Sequence, residues 1–316
     1  MALVKSIGDN GAAKRVEDEI FRQGRDVRGA GLRITLLAAL AVSTLILITL
    51  LVDVFVDGWP VINSRFGDFW TGTLRSRSED DQLGISQGLI GSLWIAIMVA
   101  LLAFPIGISA AVYLEEYAPR NWLTNAIDIA IRNLAGVPSV VYGLLGLFLF
   151  VSTNDGQSSL LAGGVTLAIL VLPIVVITAA EAIRAVPSSL KEGAYGIGAT
   201  KWDVVRSQVL PFAAPGILTG TLLSLSRAVG EAAPLILVGA ITGRLAPRSG
   251  SLLGLDQIFD RFTAMPIVIV GWVQESGRDE GFGAAAGAAI VVLLAFVILM
   301  NSGAVLLRNY FEKKRG

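Results

Sequence analysis

The chain contains neither cysteine nor histidine. Without cysteine there is no disulfide, no thiolate metal site and no cysteine nucleophile. Without histidine there is no Ser-His triad, no imidazole-bound zinc or haem and no histidine proton relay. No lysine follows a glycine, so the phosphate-cradling loop that ends Gly-Lys-Ser/Thr is absent. Any ATP used by this protein must therefore be hydrolysed by another chain. A Ser-Lys hydrolase would need a lysine within an apolar segment, and there is none. Net charge is also missing: 25 basic residues balance 25 acidic ones, which gives no footing for nucleic acid.

What the chain has in abundance is apolar sequence. It is 54% hydrophobic and 16% charged over 316 residues, with a mean hydropathy of +0.69. That composition belongs to a polytopic membrane protein. A helix needs about 20 apolar residues to cross the hydrocarbon core. Segments 34–52, 86–114, 128–152, 160–181, 212–241 and 284–307 meet that need, predicting an all-α protein of six transmembrane helices. Pro105, Pro173 and Pro234 fall inside three of them, where neighbouring helices must satisfy the freed backbone. Gly143 and Gly146 offer a smooth face for close helix contact. The stretch MPIVIVGW (265–272) is too short to span and is expected to re-enter or lie on the surface.

Basic residues in short loops set orientation. Residues 1–33 carry Lys5, Lys14, Arg15, Arg22, Arg25, Arg28 and Arg33, and the 308–316 tail carries Arg308, Lys313, Lys314 and Arg315. The 182–211 loop adds Arg184, Lys191, Lys201 and Arg206, whereas 153–159 has no basic residue. The expected arrangement has both termini and the 182–211 loop in the cytoplasm of a plasma-membrane protein. Residues 1–33 form an N-terminal tail, with VEDEIFRQ as a candidate surface helix. The acid-bearing segment 53–85 becomes an external loop that offers a docking surface to a binding protein.

Two features of the second half are costly in a membrane protein. The first is the well-capped polar loop. Ser189 and Glu192 stand at capping-box spacing, Gly198 suits a left-handed helix stop, and Thr200 with Asp203 repeats the box. The spacing predicts a helix over 190–197, a glycine turn, and a second helix ending at Leu210 before Pro211. Trp202, Val205 and Val209 would form the second helix's apolar face. The second feature is Arg227 with Glu231, one turn apart within the fifth segment. An ionisable group at the bilayer centre costs about 2.5–3.5 kcal/mol and usually faces a pathway. Arginine is the planar, permanently charged residue suited to phosphate-like oxyanions. Glu231 would orient the guanidinium or accept the hydroxyl of a monohydrogen phosphate. The pair also admits a purely structural reading as two mutually neutralising charges. Asp128 with Arg132, and Glu181 with Arg184, read as helix-end pairs; either arginine is a candidate secondary step for an anion.

EGAYGIGATKWDVVRSQVLP (192–211) resembles the EAA loop of ABC importer permeases, with Glu192, Ala194, Gly198, Leu210 and Pro211 at matching offsets. Gly193 and Gln208 depart from that pattern. SRAVGEAAPL (226–235) is similar to the arginine–glycine–glutamate segment of high-affinity phosphate permeases of the Pst system, and its ending resembles the PstA-type subunit. YLEEYAPRN (113–121), LAGVPSVVYGLLGL (134–147) and LMNSGAVLLRNY (299–310) agree. The resemblance covers about residues 86–310 and implies a type I ABC importer permease over 34–307. It implies a related PstC-type permease, a cytoplasmic PstB-type ATPase dimer carrying the ATP and Mg, and an extracytoplasmic PstS-type phosphate-binding protein. It assigns coupling to the 182–211 loop and substrate passage to Arg227 and Glu231. The chain itself would then be a transport subunit with no cofactor and no catalytic or metal site. A permease for sulfate or molybdate is the alternative within the class.

Overall fold

The computed structural model describes residues 27–79, 81–153, 157–243 and 255–313; the candidate helix VEDEIFRQ lies outside them. Among the described residues there are helices and connecting turns, with one isolated bridge between Thr73 and Leu83. The chain divides into a unit ending at Asp53 and a unit from Val54 onward. The first unit is helical from Val27, and large side chains such as Leu36, Leu40 and Leu47 are exposed along it. That helix, α1 (Val27–Ser64), runs past the expected span on both sides. Asp53 and Asp57 therefore lie on a helix rather than in a loop, and a second short helix, α2 (Phe66–Thr71), follows.

The second unit is built on α3 (Ser86–Val112) and α6 (Leu160–Arg184). In a bilayer, lipid is as apolar as leucine, so close packing of small residues supplies the attraction between helices. A methyl on Gly107 would stand 2.6 Å from Val175 Cγ1, and one on Gly164 would stand 2.7 Å from Met98 Sδ. Ile95, Val99, Leu167, Val171 and Val175 are buried in this core.

The third expected span is not straight. It is α4 (Trp122–Ala135), then α5 (Ser139–Gly146) with a π turn over Leu147–Val151, bent by 97°. The cause is Val137-Pro138, because the residue before proline is pushed out of the helical region. Tyr142 donates to the Leu134 carbonyl at 2.9 Å across the bend. Among the described residues, five helices are thus long and apolar enough to cross a membrane, or six if the bent pair counts as one span.

The fifth span also differs at both ends. A short helix, α8 (Lys201–Val204), runs through a π turn over Val205–Val209 straight into α9 (Leu210–Gly230). Pro211 does not end the helix. Leu210 N–H bonds to the Val205 carbonyl five residues back, and the wider π turn relieves the clash a proline ring makes with the preceding turn. Glu231 then leaves the helix, and α10 (Ala233–Leu237) starts two residues later. MPIVIVGW lies in α11 (Met265–Glu275), a buried helix with Met265, Ile267, Val268 and Trp272 in the interior. The last helix, α12 (Gly281–Lys313), includes most of the expected C-terminal tail.

Candidate translocation site and coupling surface

The Arg227–Glu231 site is made by the end of α9. The helix closes at Gly230, and Glu231 takes an extended conformation (φ −82°, ψ 116°). Its N–H returns to the Ala228 carbonyl at 3.2 Å. Arg227 therefore occupies the last turn, where the negative end of the helix dipole and unsatisfied carbonyls favour a cation. Arg227 Nε donates to Glu231 Oε1 at 3.3 Å. The Glu231 side chain is 20% exposed and that of Arg227 56%. One of the guanidinium's five N–H groups is thus engaged; its two terminal amino groups meet no partner among the described residues.

The chain after Glu231 is held from the other side by α5. Gly143 faces Pro234 and Leu237, and Gly146 faces Thr166 and Val238, so the small-residue face expected from sequence is present. One residue before the arginine, Ser226 donates to Asn301 Oδ1 at 2.7 Å and ties α9 to α12. Asn301 was invisible as a partner from sequence, because the contact joins residues 75 apart and only its polarity within an apolar helix marks it.

The secondary arginines are already engaged. Arg132 Nε lies 2.9 Å from Asp128 Oδ2, as its spacing predicts. Arg184 pairs with Glu115, Nε to Oε2 at 3.3 Å with a second contact from Nη2, and not with Glu181. Arg184, Glu115 and Asp128 line one open cleft of about 420 Å³.

The 182–211 loop is a helix, a glycine turn and a helix. Its first helix, α7 (Ser188–Gly196), starts two residues earlier than expected and without the Ser189–Glu192 box. Pro187 is its N-cap, with φ −58° and ψ 135°, so Ser189 already lies inside the helix. The same Val-Pro-Ser sequence starts α5 at Pro138, with φ −56° and ψ 139°. Gly198 ends the first helix with φ +86°. Ala199 N–H reaches the Ala194 carbonyl at 3.1 Å and Gly198 N–H the Tyr195 carbonyl at 2.9 Å, the paired bonds of a Schellman stop. The Thr200–Asp203 capping box forms as expected.

Glu192 is exposed, Ala194 is partly buried against the core cluster that contains Ile183, and Leu210 is half-buried against the same cluster. Pro211 is exposed. The departure at Gly193 stands in open space, and Gln208 bonds only its neighbour Ser207, at 3.3 Å. Val205 and Val209 are buried, but Trp202 is 57% exposed, and Val204 takes the inward place expected of it. Ile197, at 88% exposed, is an uncovered apolar side chain of the same helix–turn–helix, as are Trp202 and Tyr195.

Comparison with known proteins accords with this architecture. Residues 103–315 match the model of the family described as binding-protein-dependent transport system inner membrane component. The chain is 34% identical over 271 residues to phosphate transport system permease protein PstA 1 of Mycobacterium tuberculosis, covering 85% of this chain and 84% of that protein. It is 34% identical over 239 residues to probable ABC transporter permease protein YqgH of Bacillus subtilis, covering 73% and 74%. In fold it is similar to the inward-facing MetNI methionine ABC transporter, with TM-score 0.53 and 19% identity over 72% of this chain and 95% of that one. A bacterial ABC transporter that imports alginate gives TM-score 0.54 and 16% identity over 88% and 98%. With the matched residues covering most of its length, the chain belongs to the family of binding-protein-dependent transport system inner membrane components.

Proposed function

We propose that the chain is one membrane half of an ATP-driven importer of inorganic phosphate. The observation that carries this is the outward-turned guanidinium of Arg227, held at the broken end of α9 with its terminal amino groups unpartnered among the described residues. A planar fork of donors matches two oxygens of a tetrahedral oxyanion. Glu231 steadies the fork through Nε and leaves its own second oxygen as an acceptor for the hydroxyl of monohydrogen phosphate. Fully ionised sulfate has no such hydroxyl, which is why phosphate is preferred over a sulfate or molybdate reading. The relatives named as phosphate transport system permeases support the same substrate.

Passage is binding and release, with no bond made or broken in the anion. The site must hold phosphate weakly enough to let it go. Arg132 and Arg184, each with a carboxylate already beside it, would be weaker steps on the same route. A second, PstC-type permease completes the pathway, and a P-loop ATPase dimer of PstB type supplies ATP hydrolysis and its Mg. A PstS-type binding protein delivers phosphate from outside. Both termini and the 182–211 loop face the cytoplasm, on the basic residues they carry. The exposed knob of Ile197, Trp202 and Tyr195 then seats in the ATPase, with Glu192 and Gly198 shaping the docking helix. The test is ATP-dependent uptake of labelled phosphate by vesicles holding the chain with its copurifying partners. Sulfate is the competitor, and wild type is compared with Arg227→Ala. Loss of uptake despite normal assembly is expected; full competition by sulfate would sink the substrate assignment.

A further inference from the structure

The turn that closes α3 makes three contacts that its sequence does not advertise. Residues Tyr113–Tyr117 form a π turn, closed by Ala118 N–H on the Tyr113 carbonyl at 2.8 Å. Ala118 leaves it extended (ψ 137°), as a residue before proline must. Three successive side chains of this turn each meet a different cation. Glu115 holds Arg184 by two contacts. Glu116 holds Lys191 at 2.5 Å, with its carboxylate only 7% exposed. Lys201 Nζ stands 5.1 Å from the centre of the Tyr117 ring, within cation–π range.

The three cations belong to three separable pieces. Arg184 ends α6, Lys191 lies within the docking helix α7, and Lys201 opens the helix that becomes α9. The loop that carries the docking knob is thus fastened to the end of α3 at its stem, at its first helix and at the start of its second. Removing one partner of a buried ion pair strands the other charge at a large cost, so such a pair resists being pulled apart. Glu116 is the member for which this applies most directly.

We propose that Glu115, Glu116 and Tyr117 are the linkage through which movement of the docking element is passed to α3. Loosening that linkage uncouples ATP hydrolysis from transport. This rests on the reading of the 182–211 loop as the ATPase contact. These are positioning residues: none need touch the anion or the ATPase.

The test uses the full complex in proteoliposomes, with phosphate uptake and ATP hydrolysis measured on the same sample. Lys191→Met and Glu116→Gln should lower uptake about tenfold while hydrolysis stays within about twofold, since coupling changes of this kind are worth about 0.5–2 kcal/mol. The exchange Glu116→Lys with Lys191→Glu should recover uptake. A second readout does not depend on the substrate. The native chain has no cysteine, so spin labels at Ser189→Cys, an exposed position of α7 outside the knob, and Ile106→Cys report the distance between docking element and α3. On adding Mg-ATP and vanadate that distance should hold in the otherwise unaltered protein and change in Lys191→Met. Uptake and hydrolysis falling in proportion, or a distance that responds equally in both proteins, would overturn the linkage and leave the phosphate reading intact. Absence of a copurifying ATPase would overturn both.

Discussion

Arg227 and Glu231 face each other across the end of their own helix, 3.3 Å from Nε to Oε1, with the last helical residue, Gly230, between them. A salt bridge inside a regular helix would leave both charges on one continuous face. Here the chain turns away after Gly230, so the carboxylate approaches the guanidinium from its Nε side and the rest of the fork stays open. Under the proposed function, a guanidinium held this way takes the anion without first breaking a bond.

Arg227→Lys should keep the charge and lose the two-pronged geometry. Hydrogen bonds to charged groups are worth about 1.5–3 kcal/mol, so Arg227→Ala should weaken phosphate handling by about 10- to 100-fold. The lysine variant should fall between wild type and alanine. Apparent affinity in the uptake assay reads the order. Glu231→Gln should retain uptake and lose discrimination against sulfate, scored by competition.

The two glycines of the docking element should behave oppositely. Gly198 has φ +86°, where any side chain costs about 1–2 kcal/mol, so Gly198→Ala should weaken retention of the ATPase through purification. Gly193 lies in a helix with nothing within 4 Å of a new methyl. Gly193→Ala should therefore leave retention unchanged or improve it, since alanine gains up to about 1 kcal/mol of helix propensity.

Close helix contact predicts where a single methyl does harm. On Gly91 a methyl would stand 1.9 Å from the Thr263 carbonyl oxygen, which belongs to backbone and cannot swing aside. Overpacking of this kind costs about 1–3 kcal/mol, and Gly91→Ala should melt measurably earlier in detergent. Gly230→Ala, with nothing within 4 Å, is the control and should melt with wild type.

Asp279 accepts from the Ser78 hydroxyl at 2.5 Å and from the Ser78 N–H at 2.9 Å. The Ser78 side-chain bond first, then its N–H and that of Gly281, hold the carboxyl below the usual carboxylate range. A depressed carboxyl contributes stability that is complete above the ordinary value, about pH 4, and lost as pH falls through the lower one. Hydrogen exchange at the Ser78 amide should thus be faster in Asp279→Asn than in wild type at neutral pH. The two should converge in strong acid; a constant difference at all pH values would show that the carboxylate's charge plays no part.

Much of this was legible from sequence because it is local. Hydropathy over about 20 residues marks spans, since the bilayer's thickness sets their length. The Thr200–Asp203 box, the Gly198 stop, the Arg132–Asp128 pair and the Arg227–Glu231 pair each join residues within five positions. Backbone geometry alone brings such residues together.

Tertiary structure decided what local rules left open or stated wrongly. Pro187 began α7 early and cancelled the Ser189–Glu192 box, while Pro138 folded the third span by 97°. Pro211, which local rules make a helix end, became part of a continuous helix once a π turn preceded it. Trp202 turned outward and Val204 inward because the π turn shifts the helix phase. The partners of Arg184 and Lys191 lie 69 and 75 residues away, in a turn whose acids carry no periodicity. Charge partners at that separation are chosen by how α3 and α6 pack, and no spacing along the chain encodes it. The sequence by itself determined a membrane permease with an arginine in its fifth span; packing determined that the arginine stands at a helix end with its terminal amino groups unpartnered among the described residues, and that the 182–211 loop is bound to the end of α3.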